Sequence, residues 1–282
     1  MSDRAEHRAL VERRWPELGV RSFDRVDGGW DCWTYVVNGA WIFQFPRLPG
    51  AEDRLRKQIS MLPELAREVS SAIPVPSHTS TDPVCMGYER IAGKPMSAGI
   101  EGIWPERLGR FLYDLHLTPP EYVGLRSASP TTIRERMRDE IDALGARVLP
   151  LLDPRERARA ERTIAAFETD DDHFGFATCL THGDVGPEHV LVTPDGDLAG
   201  VIDWGDLDVG DPVADLAWVL LAVPEIGERV LGAYGGPPDG RFLDRARFAF
   251  MLMPWHEVKY GVETGQPAFV ESGLAGVRER LV

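Results

Sequence analysis

One stretch, Leu180–Asp206, limits the possible folds of this chain more than any other: Leu-Thr-His-Gly-Asp-Val-Gly-Pro-Glu-His-Val-Leu-Val-Thr-Pro-Asp-Gly-Asp-Leu-Ala-Gly-Val-Ile-Asp-Trp-Gly-Asp. Two short apolar runs, Val190–Val192 and Leu198–Ile202, flank Pro194-Asp195-Gly196-Asp197. Pro and Gly at those places are turn chemistry, so the runs are expected to pair as an antiparallel hairpin. A hairpin returns the chain to the end it left. His189, just before the first strand, is therefore expected near Asp203, just after the second, with Asp184 in the feeding loop a few residues from both. Taken singly, each residue has a structural explanation, since Asp at a strand end caps turns and His182-Gly183-Asp184 could be a tight loop. The combination is harder to assign to scaffolding: His-x-Asp, an imidazole five residues after the Asp, a hairpin, then Ile-Asp-Trp-Gly.

This set resembles the catalytic core of the aminoglycoside phosphotransferase family, antibiotic kinases related to protein kinases. The family pattern is His-Gly-Asp, four residues, Asn, then Ile-Asp-Phe/Trp. The resemblance implies that Asp184 is the catalytic base and Asp203 a metal ligand, with His189 standing where the family has Asn. Phosphoryl transfer needs a carboxylate that orients the acceptor hydroxyl and takes its proton. It also needs a divalent cation, Mg²⁺ in this family, held on the ATP or GTP phosphates by hard oxygen ligands. Asp203 suits that ion, whereas an imidazole suits Mg²⁺ less well than an amide oxygen. His189 is expected either as a second metal ligand or as a hydrogen-bond partner of Asp184 or of a metal-bound water.

The partner class follows from charge. Thirty-one basic against 45 acidic residues give a net charge of −14. Nucleic acid and anionic membranes are poor partners for such a surface, whereas a small polycation would be steered in. Glu188 and Asp206, near the proposed mouth, and Trp255, Glu257 and Tyr260 in the tail are candidate contacts for a cationic, ring-bearing acceptor. Core packing with a charged surface explains the tail residues equally well. The polar first twenty residues are no signal peptide, and no run reaches the roughly 18 apolar residues of a membrane span. Three scattered cysteines, Cys32, Cys85 and Cys179, fit reduced thiols of a cytoplasmic protein. A monomer and a homodimer are both compatible with these features.

Read in order, residues 1–19 form a helix ending at Gly19. Asp27-Gly28-Gly29-Trp30-Asp31 is a Gly turn leading into strand Trp33–Val37, and Asn38-Gly39 turns the chain into strand Ala40–Phe45. By alternation Trp41, Phe43 and Phe45 face one way, Ile42 and Gln44 the other. The segment from Gly28 to Arg47 is similar to the phosphate-covering loop of the antibiotic kinases. By that resemblance Gln44 occupies the place of a phosphate-binding Lys or Arg. Gln58, on helix Ala51–Val69, stands near the place of the Glu that pairs with it. The two glutamines are expected to bond to each other, although Gln58 alone reads as a surface residue. Ile73–Pro76 and Val84–Ile91 are expected to continue the sheet. Tyr88, Glu89 and Ile91 fall in a segment similar to the hinge that holds the nucleotide base.

Beyond Gly93 the periodicity is helical. Trp104, Leu108, Phe111, Leu112 and Leu115 make one apolar face. Ser129-Pro130 and Asp153-Pro154-Arg155-Glu156 open two further helices, expected as an exposed hairpin. Asp170-Asp171-Asp172 reads as a solvated loop. Gly210-Asp211-Pro212 caps helix Val213–Ala222, and the resemblance makes Asp211 and Asp215 structural, bonding backbone near the catalytic loop.

The fold class expected is α+β: a two-lobed, protein-kinase-like fold with an antiparallel-sheet nucleotide lobe over residues 1–92 and a mostly helical lobe over 93–282. The function implied is transfer of the γ-phosphate of ATP or GTP to a hydroxyl of an aminoglycoside, macrolide or cationic peptide antibiotic, conferring resistance. Two rivals stay open. Gln44, Gln58 and His189 would also suit a non-catalytic nucleotide binder, and His182, Asp184, His189 and Asp203 could serve a metal-dependent hydrolase.

Overall fold

A computed structural model describes residues 3–26, 31–96 and 101–281. The chain begins with α1 (Asp3–Arg14), β1 (Phe23–Val26), β2 (Cys32–Val37), β3 (Trp41–Pro46) and α2 (Ala51–Leu65). Next come β4 (Pro76–Thr81), β5 (Val84–Glu89), β6 (Lys94–Pro95), α3 (Trp104–Leu117), α4 (Pro130–Val148) and α5 (Pro154–Thr169). Then follow β7 (Cys179–Thr181), β8 (Val190–Val192), β9 (Leu198–Val201), β10 (Asp208–Gly210) and α6 (Val213–Ala222). The chain closes with α7 (Pro224–Tyr234), α8 (Phe242–Thr264) and α9 (Pro267–Arg280). These elements make two compact units, one of Met1–Leu125 with Gly186–Leu207, the other of Arg126–Val185 with Asp208–Val282.

The first unit is built on an antiparallel sheet of order β1-β2-β3-β5-β4. Asn38 (φ 54°) and Gly39 (φ 73°) are both left-handed, and with Ala40 they make the three-residue turn between Val37 and Trp41. That turn sets the register, Tyr35 opposite Phe43 and Thr34 opposite Gln44. Alternation then sorts the side chains as expected. Phe23, Tyr35, Val37, Phe43 and Phe45 pack with Leu10 and Val11 of α1, while Val84, Met86 and Tyr88 pack on the opposite face with Leu55 and Ile59 of α2. The first helix stops at Arg14 and a short 3₁₀ turn carries the chain to Gly19. Ile73–Val75 does not join the sheet as expected. Pro74 has no N–H to give a ladder, and Ala72 instead bridges Gly200, its carbonyl accepting from Val201 N at 3.0 Å. Strands β6, β8 and β9 form a second small sheet, and Trp204 lies edge-on to Phe111 of α3.

The second unit is mostly helical. Its core joins Ile133, Ile141, Leu144 and Val148 of α4 to Phe167 of α5, Phe248, Trp255 and Val258 of α8, and Val277 of α9. Thus α4 and α5 are core-forming helices as well as surface ones. Ser129 caps α4, and Asp153 with Glu156 makes the reciprocal capping box at the start of α5. Asp170–Asp172 is no mere solvated loop, because Asp170 pairs with Arg241 at 2.7 Å and Asp171 with Arg134 at 2.6 Å. Helices α7 and α9 add to the elements expected from the sequence. Pro254 sits inside α8 and gives no N–H to the Phe250 carbonyl four residues back. Nη1 of Arg280, on α9, donates to that carbonyl at 2.8 Å.

Candidate active site

In the first unit the hairpin forms as expected, with Val190 opposite Val201. Its last ladder bond runs from Ile202 N to the His189 carbonyl at 2.9 Å. That bond fixes the backbones on either side of the site, and His189 Nε2 lies 3.7 Å from Asp203 Oδ2. The imidazole is 14% exposed and the carboxylate 53%. Asp203 has φ 66°, a conformation a non-glycine residue adopts rarely and at a cost in energy. One carboxylate and one imidazole at this spacing fit a divalent cation whose other positions are filled by phosphate oxygens and water. Among the described residues, no group of three or more His, Cys, Asp or Glu side chains is arranged to hold a metal.

The sheet face lined by Cys32, Gln44, Met86 and Tyr88 feels the same carboxylate. Burial, then the charges of Asp31 and Asp203, pushes the Cys32 thiol up to about 12. Burial with the Asp203 charge also raises Tyr88. Gln44 is half-buried on β3, and Gln58 is buried on the Leu55 face of α2, so the surface reading of Gln58 is corrected. Among the described residues no hydrogen bond joins the two glutamines. The Gln58 amide nitrogen instead lies about 4.0 Å from where a side chain on Gly205 would begin, just past Asp203. Glu89, exposed, closes β5 opposite Trp41, and Ile91 follows half-buried. Glu188 and Asp206 are exposed. Asp27–Trp30, most of the Gly turn, lie outside the described residues. Lys57 escaped sequence reasoning; its Nζ donates to the Leu207 carbonyl at 2.7 Å, tying α2 to the segment after Asp203.

In the second unit, Asp184 is exposed at the end of β7. The loop before it is held from behind. Buried Asp215 accepts from the backbone N–H groups of His182 and Gly183, both at 2.8 Å. Gly183 has φ 85°, which a side chain would oppose. His182 is fully buried and its Nδ1 accepts from Asp184 N at 3.2 Å, so this ring orients the loop. Asp211 is structural as expected: it accepts from the backbone N–H of Val213 at 3.1 Å, and buried Arg245 also grips it, Nε to Oδ2 at 2.5 Å. Arg245 also holds Asp239 at 2.8 and 2.9 Å. Burial opposes its charge, but the bonds to both carboxylates outweigh that and raise its pKa. No sequence signal singled out Arg245, because its partners lie 34 and 6 residues away.

The tail residues separate. Trp255 is fully buried in the core of the second unit, so its indole packs helices and does not face an acceptor. Glu257 is half-buried, and Tyr260 stands edge-on to Phe269 with its hydroxyl 3.4 Å from Gln266 Nε2.

Residues 22–249 match the model of the phosphotransferase enzyme family. The chain belongs to that family. Among its relatives is the viomycin phosphotransferase of Streptomyces vinaceus, 26% identical over 96% of this chain and 98% of the relative. Solved phosphotransferases share the protein-kinase-like fold. A GDP complex of aminoglycoside 2'-phosphotransferase-IIIa superposes with a TM-score of 0.87 at 21% identity, covering 99% of each chain. A macrolide 2'-phosphotransferase from Brachybacterium faecium superposes at 0.74 with 24% identity, over 98% of this chain and 97% of that one.

Proposed function

We propose that this family member transfers the γ-phosphate of ATP or GTP to a hydroxyl group of an antibiotic or related natural product. The observation that carries this reading is Asp203, held at the hairpin exit in a strained backbone conformation beside His189. Asp203, with His189, holds the divalent cation that the phosphates carry. Asp184, exposed on a loop anchored by Asp215, orients the acceptor hydroxyl and takes its proton. Tyr88, Glu89, Ile91, Gln44 and Gln58 belong to the nucleotide side, and residues 1–92 act as the nucleotide lobe with 93–282 as the substrate lobe. Likeness to a viomycin phosphotransferase favours an antibiotic acceptor and the net charge of −14 a cationic one, with Glu188, Asp206, Glu257 and Tyr260 as candidate contacts. Such a protein works in the cytoplasm, with no nucleic acid or membrane partner.

The test is to incubate purified protein with each nucleotide against aminoglycoside, macrolide and cyclic-peptide antibiotics, reading mass gain of one phosphate. Transfer to any of them supports the reading. A second reading, a nucleotide binder without chemistry, is favoured by the neutral Gln44 at the place of a cation. Nucleotide binding with no transfer to any acceptor would select it.

A further inference from the structure

Helix α5 carries opposite charge on its two exposed flanks. Toward α4 it borders a groove lined by Ile141 and Ile164 and rimmed by Asp142, Glu161 and Glu168. Toward the end of α9 it borders a second groove, where Arg155, Arg159, Arg162 and Arg278 surround Ala158 and Leu281. We propose that this helix is the interface of a homodimer. Two copies pack their α5 helices side by side and parallel, and the acidic flank of each seats against the basic flank of the other. The inference does not depend on the chemistry proposed above.

Arg155, Arg159 and Arg162 follow one another at steps of four and three residues, so they share one face of the helix. All three are exposed, and like charges at this spacing repel. Among the described residues none of them has an ion-pair partner, nor have Asp142 and Glu161. The other charges are already engaged. Arg157 Nε donates to the Leu149 carbonyl at 2.8 Å, Glu168 faces Arg138 at 4.0 Å, and Arg278 holds Glu156 at 2.9 Å. The unmatched charge is therefore negative on one flank and positive on the other. A chain of net charge −14 is kept soluble by its acids, so solubility does not account for three clustered arginines. Symmetry selects the arrangement. If two copies of one helix run antiparallel about a two-fold, each flank meets its own counterpart, acid on acid and base on base. If they run parallel, the two-fold lies along the helices and each flank meets the opposite one, twice over. Ala158 and Ala165, seven residues apart, lie between the flanks, and their small side chains let the two backbones approach. A helix of 16 residues is about 24 Å long. With both flanks it offers roughly 500–600 Å² per copy, near the lower limit for a specific interface, so the dimer is weak.

The experiment measures self-association of the full chain by sedimentation velocity over a range of concentration and salt. A monomer–dimer equilibrium with a dissociation constant of roughly 1–100 μM is expected at low salt. It should weaken at least roughly tenfold at moderate salt, where exposed charges are screened over about 8 Å. Two variants carry the test. One has Arg155→Glu, Arg159→Glu and Arg162→Glu; the other has Asp142→Arg and Glu161→Arg. Each alone should be monomeric, because like charges then face each other on both sides of the axis. Mixed in equal amounts they should pair with each other, since every contact is again acid on base. A single chain carrying all of these changes should dimerise with itself for the same reason. A native protein that stays monomeric, or association that is flat in salt, overturns the inference. So do dimers that survive either set of changes, and mixed variants that fail to pair. Should a variant fail to fold by circular dichroism, the stoichiometry and salt dependence of the native protein decide.

Discussion

Asp184, Asp203, Asp211 and Asp215 lie within 32 residues of one another, yet their surroundings give them different work. Asp215 is fully buried and spends both oxygens on backbone N–H groups, so it shapes a loop. Asp211 is buried against Arg245 and serves a helix end. Asp184 and Asp203 stay exposed and are therefore open to substrate. If Asp184 is the base, Asp184→Asn should lower turnover by roughly 10²–10⁴ while nucleotide affinity stays nearly unchanged. Steady-state kinetics with calorimetry checks this, and near-normal turnover would remove Asp184 from the chemistry. Asp239 makes a different prediction. Bonds from Arg245 hold its carboxyl below the usual value of 3.8. A depressed folded pKa adds stability that is complete above the unfolded value and is lost as pH falls through the folded one. Acid denaturation profiles of Asp239→Asn should thus be flatter below about pH 4 than those of the parent. Parallel profiles would show that the Arg245 bonds contribute nothing there.

Among elements, α6 does the most positioning for its ten residues. Its start is pinned by Asp211, which takes Val213 N and is itself gripped by Arg245 from α8. Its first turn carries Asp215, where a carboxylate is favoured by the helix dipole and reaches the loop before Asp184. The chain α8–Arg245–Asp211–α6–Asp215 thereby links a core helix to the proposed base. Removing Arg245 leaves Asp211 buried and uncompensated. Arg245→Met should cost about 3–5 kcal/mol, the scale for breaking a buried ion pair, and Arg245→Met with Asp211→Asn should recover part of it. Denaturant melts of the single and double variants decide this; equal loss in both would mean that the pair is not coupled. The β2–β3 hairpin is simpler, since its turn residues and alternation set register without help from distant residues.

At the scale of the molecule, a net charge of −14 gives the surface a field that attracts cations. Affinity for a cationic acceptor should fall as salt rises from low to moderate strength, because exposed charges are screened over about 8–10 Å. Titration at two salt concentrations checks this, and a flat affinity would point to an uncharged acceptor. Much of the molecule was legible in the chain itself. The Asn38-Gly39 turn, helix Val213–Ala222 and the Asp153–Glu156 cap depend on residues a few positions apart, so periodicity and local bonding dictate them. The same holds for His189 beside Asp203, because a hairpin returns to its own start. Other features depended on partners far along the chain. Gln44 and Gln58 share a unit but no hydrogen bond, since the packing of α2 on the sheet sets where Gln58 points. Trp255 is core because α4 and α9 pack against α8, and the 3.6-residue pattern of α8 does not say which face they take. Arg245 becomes buried and doubly paired only when Asp211 and Asp239 are brought to it. Local sequence determined which elements form and the order of donors along them; long-range packing decided which of those donors meet, because burial and pairing are properties of surfaces brought together by the whole fold.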